Sequence, residues 1–382
     1  MKDDTQESGR RRRYFQYAVF ALAALLVVSL GVVLIPREPS PPAVPPFSEQ
    51  ARASAFADSL TLRAAGLDLE GTAGATAPAS QASALARIVT LLTVQAQALM
   101  LPDVASGNPA LDGAAASPAT ALATVTPPST TADFAAALQA SGAQRLQDAE
   151  IADGGMARLL AGTGTAQLLA AEDLASAAGI TLAPLADADS SPTASPAPTT
   201  PVTASAATNC PSEAAAADAS TGVDLGSALA LAVESELELV YAYQAALTRL
   251  NSGSAAPASI FLAQHGVLRG EAEAMGRSRC ATVPPRQPGY VLSQAFLADP
   301  AVGLGTLESG TLPVLGDVVA LSEGRERVWA LSALQSAARR TVHWRASPGP
   351  VPGMVLDEAL LPPLPEPVST LGTSTTSTPG NS

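Results

Sequence analysis

Several residue types are scarce in this sequence, and each shortage bears on its function. The 382 residues include two cysteines, two histidines and, at Lys2, one lysine, and aromatic residues make up 4% of the chain. Acidic side chains outnumber basic ones, which gives a formal net charge of -13. Because phosphate binding requires clustered positive charge, we expect no nucleic-acid partner. The sequence also lacks a phosphate-binding glycine loop and a Ser-His-Asp arrangement at a supportive spacing, so we assign no catalytic residue.

One long apolar run lies near the amino terminus. No charged residue occurs from Tyr17 to Ile35, and a helix that rises about 1.5 Å per residue over this length spans a hydrocarbon core of about 30 Å. Four arginines end at Arg13, before the run, and the acidic remainder follows it. We therefore predict a transmembrane helix at residues 15–35, with residues 1–14 in the cytoplasm and the remainder extracytoplasmic, as in a single-pass cell-membrane protein.

A cleaved export signal is the alternative for this segment. The stretch Arg11-Arg-Arg-Tyr-Phe15 is similar to a twin-arginine signal. The apolar run is long, however, and it ends at Ile35-Pro36-Arg37-Glu38 without a small-x-small cleavage site. These features favour an uncleaved anchor.

Beyond the predicted anchor, helical and non-periodic segments alternate. Residues 36–46 are proline-rich and predict a stiff stalk. Residues 47–181 contain several helical stripes and could form a small bundle of their own. Residues 182–222 and residues 346–382 are rich in Pro, Ser and Thr and have no period, so we predict a disordered linker and a disordered tail.

Residues 223–345 contain four helix-length segments, three of which carry an ionisable residue on the stripe that should be apolar. Glu236 holds this position in the first segment, His265 and Glu271 lie near it in the second, and Glu308 holds it in the third. An unpaired buried charge costs several kcal/mol, on the order of known desolvation penalties. Each of these side chains therefore needs a partner: a metal ion, a cationic side chain or a shared proton.

This part of the chain resembles a known family. The resemblance rests on the run Val-Glu-Ser-Glu-Leu-Glu-Leu-Val-Tyr-Ala-Tyr at 233–243, His265 followed by Arg269, Pro-Gly-Tyr-Val-Leu at 288–292, Leu307-Glu308, and the stretch 337–345. Over residues 224–345, about a third of the chain, the sequence resembles an uncharacterised ferritin-like domain of bacterial cell-envelope proteins. The resemblance implies an all-α fold with a four-helix bundle whose second and third helices are joined by a crossover at 281–299, and it implies no known reaction. The family usually has Glu-His where this chain has Glu236-Leu237.

A di-iron site of the ferritin type needs a Glu from each of two helices and Glu-x-x-His from each of the other two. An antiparallel arrangement places Glu236 opposite Glu271, but position 274, where a histidine is needed, is alanine. Glu308 falls opposite Arg339 or Arg340, where a glutamate is needed. A conventional site is therefore incomplete by at least two ligands.

Two interpretations of these residues remain. The preferred one is a buried, charge-paired polar network without a cofactor, formed by Glu236, His265, Arg269, Glu271, Glu308, Arg339 and Arg340. The alternative is a degenerate site for iron or another transition metal, formed by Glu236, Glu271, Glu308 and His343.

Both cysteines follow the predicted anchor. Cys210 precedes the first bundle helix and Cys280 ends the second, and these two ends are neighbours in an antiparallel pair. In an oxidising exterior we expect a Cys210–Cys280 disulfide.

These features predict a membrane-anchored protein of the cell envelope with a structural or protein-binding role rather than an enzymatic one. We expect an envelope protein as its partner, in addition to the membrane contacted through residues 15–35. The alternatives are a metal-dependent oxidoreductase or metal store, and a binder of a small apolar ligand held between helices.

Overall fold

The structure, a computed structural model, describes residues 14–15, 17–26, 44–73, 78–100, 127–184 and 224–365. Over these ranges the regular secondary structure is helical and no strand occurs, in agreement with the predicted all-α class. The chain forms two compact units, Met1–Val44 and Pro45–Ser382. In the first unit the apolar helix α1 covers Tyr17–Leu26, and its large side chains are exposed. Residues 16 and 27–35 of the predicted transmembrane segment lie outside the described residues.

By length and composition, one described helix could cross a membrane. This is α3, Ala79–Leu99. Leu85, Leu92 and Leu99 of this helix are fully buried among other helices, as expected of a core helix. The predicted span at residues 15–35 stays a prediction, because the structure describes only part of it.

The second unit begins with four long helices. They are α2 (Phe47–Ala73), α3, α4 (Thr131–Ile151) and α5 (Gly154–Ala178). Helix α2 packs against α3 and α4, and α5 packs against the same two helices, so the four close into a ring. Their core contains Leu85, Leu92, Phe134, Leu138 and Leu174. The residue pattern also sets the ends: Thr130 caps α4 by accepting a hydrogen bond from the Asp133 amide at 3.1 Å.

A second group of helices follows. These are α6 (Leu225–Leu247), α7 (Ser252–Ser278), the short α8 (Gln294–Ala298), α9 (Pro300–Leu321) and α10 (Gly324–His343), with a 3-10 turn at Glu358–Leu360. Helix α6 packs against α7 and α9, and α9 packs against α10. Helices α7 and α10 make few direct contacts, which leaves the seam between them open. Helix α9 continues through Pro313, although an interior proline removes one backbone hydrogen bond of the helix.

The two helical regions share one hydrophobic core. Helix α5 packs against α9 and α10, and a single buried cluster includes Leu160 from the first group and Leu229, Leu315 and Leu334 from the second. Polar contacts add to this junction, since the Arg327 guanidinium donates to the Ala152 carbonyl at 2.6 Å. Residues 47–181 could have formed a bundle of their own, but in the structure they pack with the second group around a shared core.

The segment after α10 is also packed. Val351 is buried and lies close to Gly162 of α5, and Gly353 lies close to Gly316 of α9. The carbonyl of Gly353 accepts a 2.6 Å hydrogen bond from Arg158. The predicted disorder of residues 346–382 is therefore wrong for residues 346–356, which we call the strap. Glycines on α5 and α9 give this Pro- and Gly-rich segment room to lie against the helices. Residues 366–382, like residues 185–222 of the predicted linker, lie outside the described residues.

Candidate functional site

Four helices of the second group each bring polar side chains into one buried cluster. Glu236 and Tyr243 lie on α6 two turns apart, and His265 lies on α7. Glu308 lies on α9, and Arg340 lies in the last turn of α10. Trp344 follows the last residue of α10. All six side chains are buried, and His265 and Glu308 have no solvent-accessible surface. We call these six residues the polar cluster.

His265 bridges two carboxylates. Its Nδ1 lies 2.7 Å from Glu236 Oε2, and its Nε2 lies 2.9 Å from Glu308 Oε1. A neutral imidazole has one N–H and could donate to only one of the two carboxylates. An imidazolium donates to both, so the geometry favours a protonated His265.

Glu308 is the centre of the polar cluster. Arg340 Nε lies 3.0 Å from each Glu308 oxygen, and the Tyr243 hydroxyl donates to Oε1 at 2.7 Å. The indole of Trp344 donates in turn to the Tyr243 hydroxyl at 2.7 Å. Glu308 is thus held by a guanidinium, an imidazolium and a neutral hydroxyl group.

The pKa shifts follow from this arrangement. Burial alone lowers the pKa of His265, but its hydrogen bonds with Glu236 and Glu308 raise it, and the net pKa lies above the ordinary histidine value. Burial alone raises the pKa of Glu308, but the hydrogen bond from His265 and the charge of Arg340 lower it below its ordinary value. Burial and the neighbouring Glu308 raise the pKa of Tyr243, so its hydroxyl stays protonated and serves as a donor.

The charges of the polar cluster balance. Two carboxylates, Glu236 and Glu308, face one imidazolium and one guanidinium, so the buried group is neutral as a whole. This satisfies the requirement that buried charges be paired and hydrogen-bonded. The exception is the end of the Arg340 guanidinium, since Nη1 and Nη2 are both buried and have no hydrogen-bond partner in the part of the chain that the structure describes.

Three residues predicted for this network lie elsewhere. Glu271 accepts a 2.8 Å hydrogen bond from the Trp329 indole. It is six residues after His265, which turns its side chain by about 240° around the helix axis. Arg339 pairs with Glu172 of α5 at 2.9 Å, because its side chain leaves α10 about 100° from that of the neighbouring Arg340. Arg269, one turn after His265 on α7, pairs with Glu273 at 3.4 Å.

The four residues of the predicted metal site do not converge. Glu236 and Glu308 both face His265, whereas Glu271 lies beside Trp329. The His343 ring packs edge-on against Phe261 and Trp344, with centroids 5.0 Å and 4.9 Å apart. Among the described residues, no three His, Cys, Asp or Glu side chains form a group arranged for a metal ion. The donor set proposed for iron therefore does not fit a single ion.

The hydrogen-bonding roles of Tyr243 and Trp344 were not predicted. Tyr243 is seven residues after Glu236 and so lies on the same face of α6, which accounts for its burial. A buried tyrosine hydroxyl or indole N–H usually finds a partner, which is the signal that could have identified both residues.

Cys280 follows the end of α7. No free cysteine occurs among the described residues. Cys280 lies beside the start of α6, where Asp224, Gly226 and Ser227 line the same surface depression. Cys210 lies outside the described residues, so its pairing with Cys280 stays a prediction.

Part of the chain matches a known family model. A family described as a domain of unknown function (DUF4439), a domain of ferritin-like type, matches residues 228–356. This range includes the polar cluster and the strap. No curated protein and no solved structure matches the chain.

Proposed function

We propose that this is a membrane-anchored, extracytoplasmic protein with a ferritin-like bundle whose role in the cell envelope is structural or protein-binding and not catalytic. The observation that carries this proposal is the internal pairing within the polar cluster. Both nitrogens of His265 contact carboxylates of the protein, and Glu308 has three protein partners. The groups that could bind a metal or transfer a proton to a substrate are thus already paired with one another.

The anchored topology is supported by the sequence and by the first unit. The apolar α1 is followed by an uncharged run to Ile35, and the arginines before it favour a cytoplasmic amino terminus. An extracytoplasmic location is also consistent with a Cys210–Cys280 disulfide. The start of α6, downstream of Cys210, lies beside Cys280, which supports a short connection between the two cysteines.

Metal analysis of the full-length protein tests the non-catalytic role. The protein is incubated with ferrous iron, bound metal is measured by elemental analysis, and Glu236→Ala is treated in the same way. We expect less than one equivalent of metal in both proteins, because the carboxylates are already paired with His265 and Arg340. One equivalent of iron in the wild type that is lost in Glu236→Ala would overturn the proposal in favour of a metal-dependent oxidoreductase or metal store.

The apolar-ligand alternative has an observation in its favour. The open seam between α7 and α10 contains a groove of about 710 Å³, within the size range of about 300–1,000 Å³ typical of small-molecule sites. Its polar and apolar groups allow a more specific inference.

A further inference from the structure

The groove between α7 and α10 has an apolar wall. Ile260, Ala263, Val267 and Leu268 of α7 line it, at the spacing of one helix face. Ile260 and Val267 are 58% and 59% exposed, although both are large apolar residues. Across the seam, Ser336 and Arg340 of α10 line the same groove.

Arg340 connects the groove to the polar cluster. Its Nε contacts both oxygens of Glu308 at 3.0 Å. The residue is 2% exposed, yet Nη1 and Nη2 have no hydrogen-bond partner within the described residues. A guanidinium has five N–H donors, so four of them are unused here. Buried donors normally have partners, and an acceptor from outside the described chain would supply them.

The geometry of the guanidinium restricts the acceptor. With Nε occupied by Glu308, the free end is the pair of terminal nitrogens, which matches the two oxygens of a carboxylate or a phosphate. The adjoining wall favours an apolar group on the same molecule. The groove therefore combines a polar end with an apolar wall.

We propose that this groove binds an amphiphile that has an oxyanion head and an apolar chain, with the head on Arg340 and the chain along Ile260, Ala263 and Val267. Such a head occurs on a free long-chain carboxylic acid and on an anionic lipid. The polar cluster then has a second role, because Glu308 holds the side chain of Arg340, a residue that lines the groove. This binding is independent of the structural role proposed above, since it uses the side of Arg340 that Glu308 leaves free.

Photolabelling of the full-length protein in lipid discs tests the proposal. Three probes carry the same photoreactive group on the apolar chain: a long-chain carboxylate, the corresponding alcohol and a phosphatidic acid mixed into the disc lipid. Labelled peptides are identified and quantified by mass spectrometry. We expect the carboxylate, the phosphatidic acid or both to label peptides containing residues 259–268 or 336–340, and the alcohol to label them about tenfold less.

Two variants and one control test where the probe binds. Ala263→Trp fills the groove at an exposed position and is expected to abolish labelling without affecting the polar cluster. Arg340→Gln removes the guanidinium and is expected to reduce labelling about tenfold, whereas Arg339→Gln, which removes the neighbouring surface guanidinium, leaves it unchanged. Labelling by the phosphatidic acid alone identifies a membrane lipid as the source of the head, and labelling by the carboxylate alone identifies a free acid.

Several results would overturn the proposal. They are labelling by neither anionic probe, equal labelling by the alcohol, or unchanged labelling in Ala263→Trp. None of these results bears on metal content, so failure of this inference and failure of the proposed function can be told apart.

Discussion

At the scale of single residues, Glu308 determines how the polar cluster is held together. It has no solvent-accessible surface, and it accepts hydrogen bonds from Tyr243, His265 and Arg340, which come from three other parts of the chain. Its carboxylate contacts both cations of the polar cluster, and together with Glu236 it balances their charge. Removing one member of a buried ion pair leaves the other charge uncompensated, which is far more costly than losing a surface pair.

We therefore expect Glu308→Ala to lower the free energy of unfolding by about 3 to 5 kcal/mol, because it leaves Arg340 buried without its anion. Urea denaturation followed by circular dichroism measures the change. Glu234→Ala, on the exposed face of α6, is the matched control and should stay within about 0.5 kcal/mol of the wild type. Equal effects of the two substitutions would contradict the central role of Glu308.

His265 gives the cluster a pH dependence of defined sign. Its folded-state pKa lies above the ordinary value of 6.5, so its contribution to stability is complete below pH 6.5 and declines as the pH rises toward the folded-state pKa. For Glu308 the folded-state pKa lies below 4.5, so its contribution is complete above pH 4.5 and declines as the pH falls. Together the two groups stabilise the fold most between pH 4.5 and 6.5.

The measurement is the free energy of unfolding of His265→Gln and of the wild type from about pH 6 to about pH 9. We expect the wild type to lose stability over this range and the variant to lose less. His343→Gln is the matched control, because the His343 ring packs edge-on against Phe261 and Trp344 and is not itself a member of the polar cluster. This variant should keep the wild-type dependence of the free energy of unfolding on pH. Loss of that dependence in His343→Gln would refute the assignment to His265.

At the scale of elements, the strap after α10 fixes the position of α9. Arg158 of α5 contacts the Gly353 carbonyl at 2.6 Å, and Gly353 has a positive φ of 93°. A side chain on Gly316 would collide with that same carbonyl oxygen. Gly316 is therefore required for close approach of the strap to the helix.

Gly316→Ala should lower the free energy of unfolding by about 1 to 3 kcal/mol, because the added methyl group displaces the strap. Gly310→Ala provides the contrast on the same helix, since its added methyl group meets no atom within 4 Å. Alanine is the better helix former, so this control should raise stability by about 0.5 to 1 kcal/mol. Thermal and urea denaturation of the two variants would separate the effects, and a stabilising Gly316→Ala would argue against a closely packed strap.

At the scale of the whole molecule, the second unit depends on contacts between its two helical groups. The buried cluster that joins them includes Leu160 of α5 together with Leu315 and Val319 of α9. Separating the groups would expose these side chains, and contiguous exposed apolar surface favours association or loss of fixed packing.

A fragment of residues 224–382 should therefore bind a hydrophobic dye and unfold with less cooperativity than residues 45–382. Dye fluorescence measures the exposed apolar surface. The slope of urea denaturation measures the cooperativity, because the slope scales with the surface exposed on unfolding. Cooperative unfolding of the short fragment without dye binding would mean that the second helical group folds independently.

The sequence by itself determined the helical class, the positions of most helices and the burial of Glu236, His265 and Glu308, because helical periodicity requires only local information. Only the tertiary structure decided which cation pairs with which carboxylate. Arg340 rather than Arg339 reaches Glu308, and Glu271 turns away, since a rotation of about 100° per residue redirects each side chain. It also decided that the two helical groups share a core and that residues 346–356 are packed, because these contacts join residues far apart in the chain through shape and not through a repeating pattern.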